Sequence, residues 1–182
     1  MPLPCYDGEM KSPAEPSLVG CLLPSALLGA ASGMRSTVGL AAVIAQGEPE
    51  LPALLRHRLA KPAAGVAVAA ELVLDKMPFT GSRLEPAGMA GRLMFAGAAA
   101  GLTSRPVARE IVVATLVAAA AAAVTAKLSH DARAHLAKRV PDLAVAVGED
   151  LLALTVAAAG CRRLTATRPR SAAEQASAVR PA

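Results

Sequence analysis

Residues 107–127 constrain this chain most: they run through six consecutive alanines at 118–123 and keep their charges, Arg109, Glu110 and Lys127, at the ends. At about 1.5 Å per residue, roughly 20 apolar residues reach across the hydrocarbon core of a bilayer. In lipid such a segment must be helical, because only a helix or a closed barrel satisfies every backbone N–H and C=O internally. Residues 18–45 form a second apolar stretch, interrupted only by Arg35. Either Arg35 lies near one face of the bilayer, or the helix breaks around residues 33–39.

Composition points the same way. Hydrophobic residues make up 54% of the chain and the mean hydropathy is +0.44, above the usual soluble mixture. With no Trp, one Tyr and two Phe, both the aromatic anchors of a large soluble core and the aromatic belts of membrane interfaces are lacking. The abundant Ala and Gly instead suit helices whose backbones approach closely in lipid. Cys5, Cys21 and Cys161 are widely spaced, form no CxxC pair and read as unpaired thiols, so neither a metal nor a redox cofactor is expected.

Punctuation by Pro, Gly and charge divides the chain into a disordered leader (1–17), a membrane helical domain (18–161) and a disordered basic tail (162–182). The domain reads as an all-α, polytopic helix bundle of about five apolar helices, at 18–45, 62–77, 87–103, 107–127 and 143–161. Residues 46–61 form a polar connection with one surface helical turn, 78–86 (PFTGSRLEP) a loop, and 128–140 a charged helical extension along water or headgroups. A central Asp, Lys or Arg costs about 2.5–3.5 kcal/mol on insertion, whereas each Leu or Val returns about 0.3–0.6. The second and fifth helices, which carry Glu71, Asp75, Glu149 and Asp150, therefore need partners or an interfacial position. A soluble all-α interaction domain is the competing architecture. Lys and Arg are in modest excess on the side holding 46–61, Arg105, Arg109 and the tail, which favours a cytoplasmic C-terminus. A net charge of +5 suits anionic lipid, and without interleaved aromatics nucleic acid is not an expected partner.

Two sets of residues stand out. Gly29, Gly33, Gly97 and Gly101 form two Gly-xxx-Gly pairs inside matching segments, GAASGMRS and GAAAGLTS. This is either a duplicated close-packing seam or coincidence in an Ala/Gly-rich chain. The second set is the ionisable residues inside apolar helices: Arg35, Glu71, Asp75, Arg92, Glu149 and Asp150. A charge at that depth is paired, hydrated or functional, so the set is either an ion-pair network that locks packing or a proton or ion relay. Glu71 and Asp75 share a helical face and repel unless a cation intervenes, and Arg35 is expected to pair with Glu149 or Glu71. The loop residues Lys76, Thr80, Ser82, Arg83 and Glu85 could bind an anion or form a solvated turn. His130 and His135 are five apart and share a face poorly, so a zinc site is not expected there. No nucleophile-elbow, Walker, dinucleotide-binding or zinc-protease pattern occurs, so no catalytic residue is assigned.

Three blocks, GAASGMRSTVGLAAV, ELVLDKMPFTGSRLEPAGMAGR and PDLAVAVGEDLLAL, occur in that order. Together they resemble the bacterial membrane-protein family known as domain of unknown function 4126, over roughly residues 18–160. The resemblance implies a multi-pass protein of the bacterial inner (cytoplasmic) membrane with no assigned catalytic residue. The function classes that follow are a small transporter or channel-like bundle, or a scaffold that packs with another copy or with a membrane partner.

Overall fold

A computed structural model describes residues 18–48, 50–74, 85–104 and 107–167, which form seven helices and no strand. They are α1 (Leu18–Met34), α2 (Val38–Gln46), α3 (Ala53–Arg56), α4 (Ala60–Leu74), α5 (Pro86–Thr103), α6 (Ala108–Leu136) and α7 (Asp142–Thr167). Of the alternatives at Arg35, the break occurs: α1 ends at Met34 and α2 begins at Val38. The helical extension expected at 128–140 is present as far as Leu136, to which α6 continues without interruption. Helix α7 likewise runs through Arg162 and Arg163 to Thr167, so the start of the expected tail is helical: Leu164 is buried against Leu28 and Cys161 and rewards another turn. Residues 1–17 and 168–182, from the leader and tail, lie outside the described residues.

Helix α1 is the hub, touching α5, α6, α7 and α2, whereas α6 and α7 touch each other sparingly. Pairings along the helices fix their directions. A Cβ on Gly29 would overlap the Ala118 carbonyl, and one on Gly33 would overlap the Ala122 carbonyl and the Thr125 hydroxyl, so α1 runs parallel to α6. Gly160 faces Leu27 and Leu28 while Arg35 meets Asp150, so α7 is antiparallel to α1. Arg92, near the start of α5, reaches the end of α1, so α5 is antiparallel as well.

Helix α2 does not continue the axis of α1. Eleven residues of straight helix would separate Leu28 from Gly39 by about 16 Å, yet a Cβ on Gly39 would stand 2.7 Å from the Leu28 carbonyl oxygen. The chain therefore doubles back at residues 35–37. It stops again at Gly47, whose φ of 67° provides the left-handed C-cap, with its N–H bonded to the Ile44 carbonyl at 3.1 Å. Helix α4 then lies along α2 in the opposite sense, with Lys61 beside Gly47 and Glu71 beside Ser36.

The core is made largely of small residues. Ala114, Ala118, Ala122 and Ala126, four apart on α6, form a buried stripe that receives Gly29 and Gly33 of α1, and its Ala114, Ala118 and Ala122 pack with Ala96 and Ala100 of α5. The two pairs are unequal. Gly29 and Gly33 meet α6 backbone directly, and across that seam the Thr125 hydroxyl lies 3.1 Å from the Ala30 carbonyl. A Cβ on Gly97 would stand 3.0 Å from a Thr115 methyl, and one on Gly101 3.4 Å from the Thr115 hydroxyl. Large apolar side chains point outward instead, among them Leu116, Val124, Leu151 and Leu154. Two helices, α6 and α7, are long and apolar enough to cross a membrane, and only 22% and 28% of their most apolar stretches is buried within the chain.

This packing orders the glycine positions. Gly29→Ala should destabilise the protein by about 1–3 kcal/mol, because the α6 backbone cannot yield to the added methyl. Gly148→Ala, where a methyl meets nothing within 4 Å, should be neutral or stabilising by up to about 1 kcal/mol. Thermal unfolding of both variants in detergent checks this, and equal effects would remove the seam.

Candidate functional site

Breaking a helix exposes the last carbonyls of one half and the first N–H groups of the next. At residues 35–37 both sets are met by side chains from distant elements. Arg92 of α5, 4% exposed, donates from Nη1 to the carbonyls of Gly33 (2.6 Å) and Met34 (3.1 Å), placing a cation at the negative end of α1. Glu71 of α4 accepts from the backbone N–H groups of Ser36 (2.6 Å) and Thr37 (2.9 Å) and from the Thr37 hydroxyl (2.6 Å). It thereby does the work of an N-cap for α2, where Thr37 makes no cap bond of its own. Arg35, on the break itself and 1% exposed, donates from Nε to Asp150 Oδ1 of α7 at 2.6 Å, with Nη2 at 2.5 Å from the same oxygen.

Four of the six ionisable residues singled out from the sequence thus converge on one break: Arg35, Glu71, Arg92 and Asp150. The expected partner of Arg35 is corrected, because Asp150 takes it rather than Glu149 or Glu71. The two acidic neighbours on α7 lie about 100° apart around the helix. Asp150 meets α1 through Arg35, while Glu149 meets α6, where Arg133 Nη1 stands 3.9 Å from its Oε2. Arg133 also forks onto Asp142 through bonds of 3.0 and 2.8 Å, tying the end of α6 to the start of α7. Glu71 is likewise corrected: backbone donors surround it, not an arginine. Asp75, Lys76, Thr80, Ser82 and Arg83 lie outside the described residues, and Glu85 sits exposed at the N-cap position of α5. Arg133 lay in the supposed surface extension, and its spacing from Asp142 across a short turn was the signal available in the sequence.

The site occupies one end of an apolar layer. Beyond Asp150, α7 carries no charge until Arg162; beyond Arg92, α5 carries none to its end; α6 is uncharged from Ile111 to Ala126. At 1.5 Å per residue the layer is about 18 Å deep along α7 and about 25 Å along α6. A cavity of about 370 Å³ opens beside the site, walled by Met34, Ser129, Arg133, Leu136 and Glu149. Among the described residues no group of three or more His, Cys, Asp or Glu could hold a metal ion.

No protein-family model, curated protein or solved structure matches this chain.

A double-mutant cycle tests the pairing. Arg35→Gln and Asp150→Asn should each cost about 3–5 kcal/mol, since each strands a partner in a low-dielectric site, and the double variant should cost far less than their sum. Coupling of Arg35 to Glu149 as strong as that to Asp150, measured by unfolding in detergent, would contradict the assignment.

Proposed function

We propose that this chain is a multi-pass protein of the bacterial inner membrane, a member of the family its three blocks resemble. In this reading it acts without catalysis, as a helix-packing scaffold for another copy or a membrane partner. The observation that carries the proposal is the inversion of ordinary burial. Arginines and carboxylates are turned inward against each other and the backbone, whereas leucines and valines of α6 and α7 face out. A core helix of a soluble protein would be mostly buried, and an outward apolar face of this size requires lipid or protein cover.

Depth supports the same reading. The broken helix lies at one boundary of the apolar layer, where Arg92 of α5 and Glu71 of α4 satisfy backbone that lipid cannot. The paired state of Arg35, Glu71, Arg92 and Asp150 favours a lock over a relay. All three blocks of the resemblance supply the site: Arg35 comes from the first, Glu71 and Arg92 from the second, Asp150 from the third. The remaining spans and the cytoplasmic C-terminus belong to this proposal too, with α1 and α5 crossing beside α6 and α7.

A transporter or channel-like bundle is the second reading, and Glu149 favours it: its carboxylate lines the 370 Å³ cavity beside a half-exposed end of the layer. Proteoliposomes separate the two. Proton or cation flux that disappears in Glu149→Gln supports transport, and flux indistinguishable from empty vesicles supports the scaffold. The membrane placement itself predicts that full-length protein stays in the membrane fraction through an alkaline wash and leaves it only with detergent. Recovery from the soluble fraction without detergent would overturn it.

A further inference from the structure

Helices α2, α4 and α7 enclose a groove of about 650 Å³ whose two ends differ in chemistry. Along its length the walls are apolar, with Val38, Ala42, Val68, Leu154 and Ala157. At one end stand Lys61 from the start of α4 and Arg162 from the last turns of α7, together with Gln46. The polarity follows from helix directions. Val38 to Gln46, Val68 to Lys61 and Leu154 to Arg162 all run the same way, toward the boundary of the apolar layer opposite the broken helix. Among the described residues neither the Lys61 ammonium nor the Arg162 guanidinium takes part in an ion pair or hydrogen bond, and no acidic residue lines the groove. Glu48 at the end of α2 lies close enough to Cys161 to act on its thiol, and it has a partner of its own.

We propose that this groove binds an anionic phospholipid, its phosphate between Lys61 and Arg162 and the upper part of an acyl chain along α2. Two cations with no carboxylate of their own call for an anion. The apolar channel beneath them, about 13 Å long over the nine residues of α2, calls for a chain attached to it. Basic pockets between helices at a membrane boundary select acidic headgroups for this reason. Gly65 lines the groove, and the space beside it is open, since a Cβ there would meet nothing within 4 Å.

The proposal rests on the membrane placement above, but its test uses detergent-solubilised full-length protein, so recovery from the soluble fraction would strike at the placement and loss of selectivity at the groove. Native mass spectrometry and thermal stabilisation are measured with phosphatidylglycerol, with phosphatidylcholine and with glycerol phosphate. Phosphatidylglycerol should be retained and stabilise the protein, and the other two should not. Lys61→Gln with Arg162→Gln should weaken that binding roughly thirtyfold, by the usual contribution of two basic residues at a lipid surface. Arg56→Gln with Arg58→Gln removes the same charge from the neighbouring linker and should change it less than twofold. Both members of each pair are exposed, so folding is not at stake. Gly65→Leu, which keeps both cations and narrows the channel, should also reduce retention. Equal retention of the two lipids, equal loss in both charge pairs, or full retention in Gly65→Leu overturns the proposal. Glycerol phosphate binding as tightly as the lipid overturns it in favour of a soluble phosphate, and a dimer that excludes lipid does so in favour of a second copy.

Discussion

The interruption between α1 and α2, at Arg35 to Thr37, governs the whole arrangement. A backbone turned back on itself inside an apolar layer leaves donors and acceptors that water cannot reach, each costing several kcal/mol if unmet. Arg92 and Glu71 meet them, and each is matched to the charge that the adjoining helix end presents. Those two side chains fix where α5 and α4 must lie, and Arg35 with Asp150 fixes α7. The charges are thus spatial constraints first. Each is met by an opposite charge or by backbone, which is why they tolerate burial that an isolated charge would not.

Discontinuous helices in membranes commonly use their two ends to hold a substrate anion and a coupling cation. Here the chain fills both places itself, with a carboxylate at the N-terminal end of α2 and a guanidinium at the C-terminal end of α1. Any solute that used this centre would have to displace one of them, which makes the resting arrangement a closed one. Glu149 differs in its surroundings: it lines a cavity, with Arg133 Nη1 3.9 Å from its Oε2.

Much of this was legible in the sequence. The helix positions followed from apolar runs bounded by Pro and charge, and the charged set was recognisable because a buried Arg or carboxylate is expensive wherever it falls. The Gly29 and Gly33 seam was visible as spacing. Its stricter packing was not, because a Gly-xxx-Gly pair does not say whether backbone or a yielding threonine faces it. Partner choice failed for a similar reason: Glu149 and Asp150 are adjacent letters about 100° apart around a helix, and only the rotation of α7 about its axis decides which meets Arg35. The return of α2 was equally hidden, since an Arg between Met34 and Ser36 reads alike in a continuous helix and in a break.

The Arg35–Asp150 contact also carries a clock. Its partners are 115 residues apart, so at a synthesis rate of roughly 5–20 residues per second the arginine waits about 6–23 s for its counter-ion to emerge. Glu71 and Arg92 arrive earlier, and the hairpin of α1 and α2 gains its caps before it gains its ion pair. Throughout that interval the guanidinium is without Asp150. The order of assembly is therefore written into the spacing of the charges, with the centre of the molecule the last part to close.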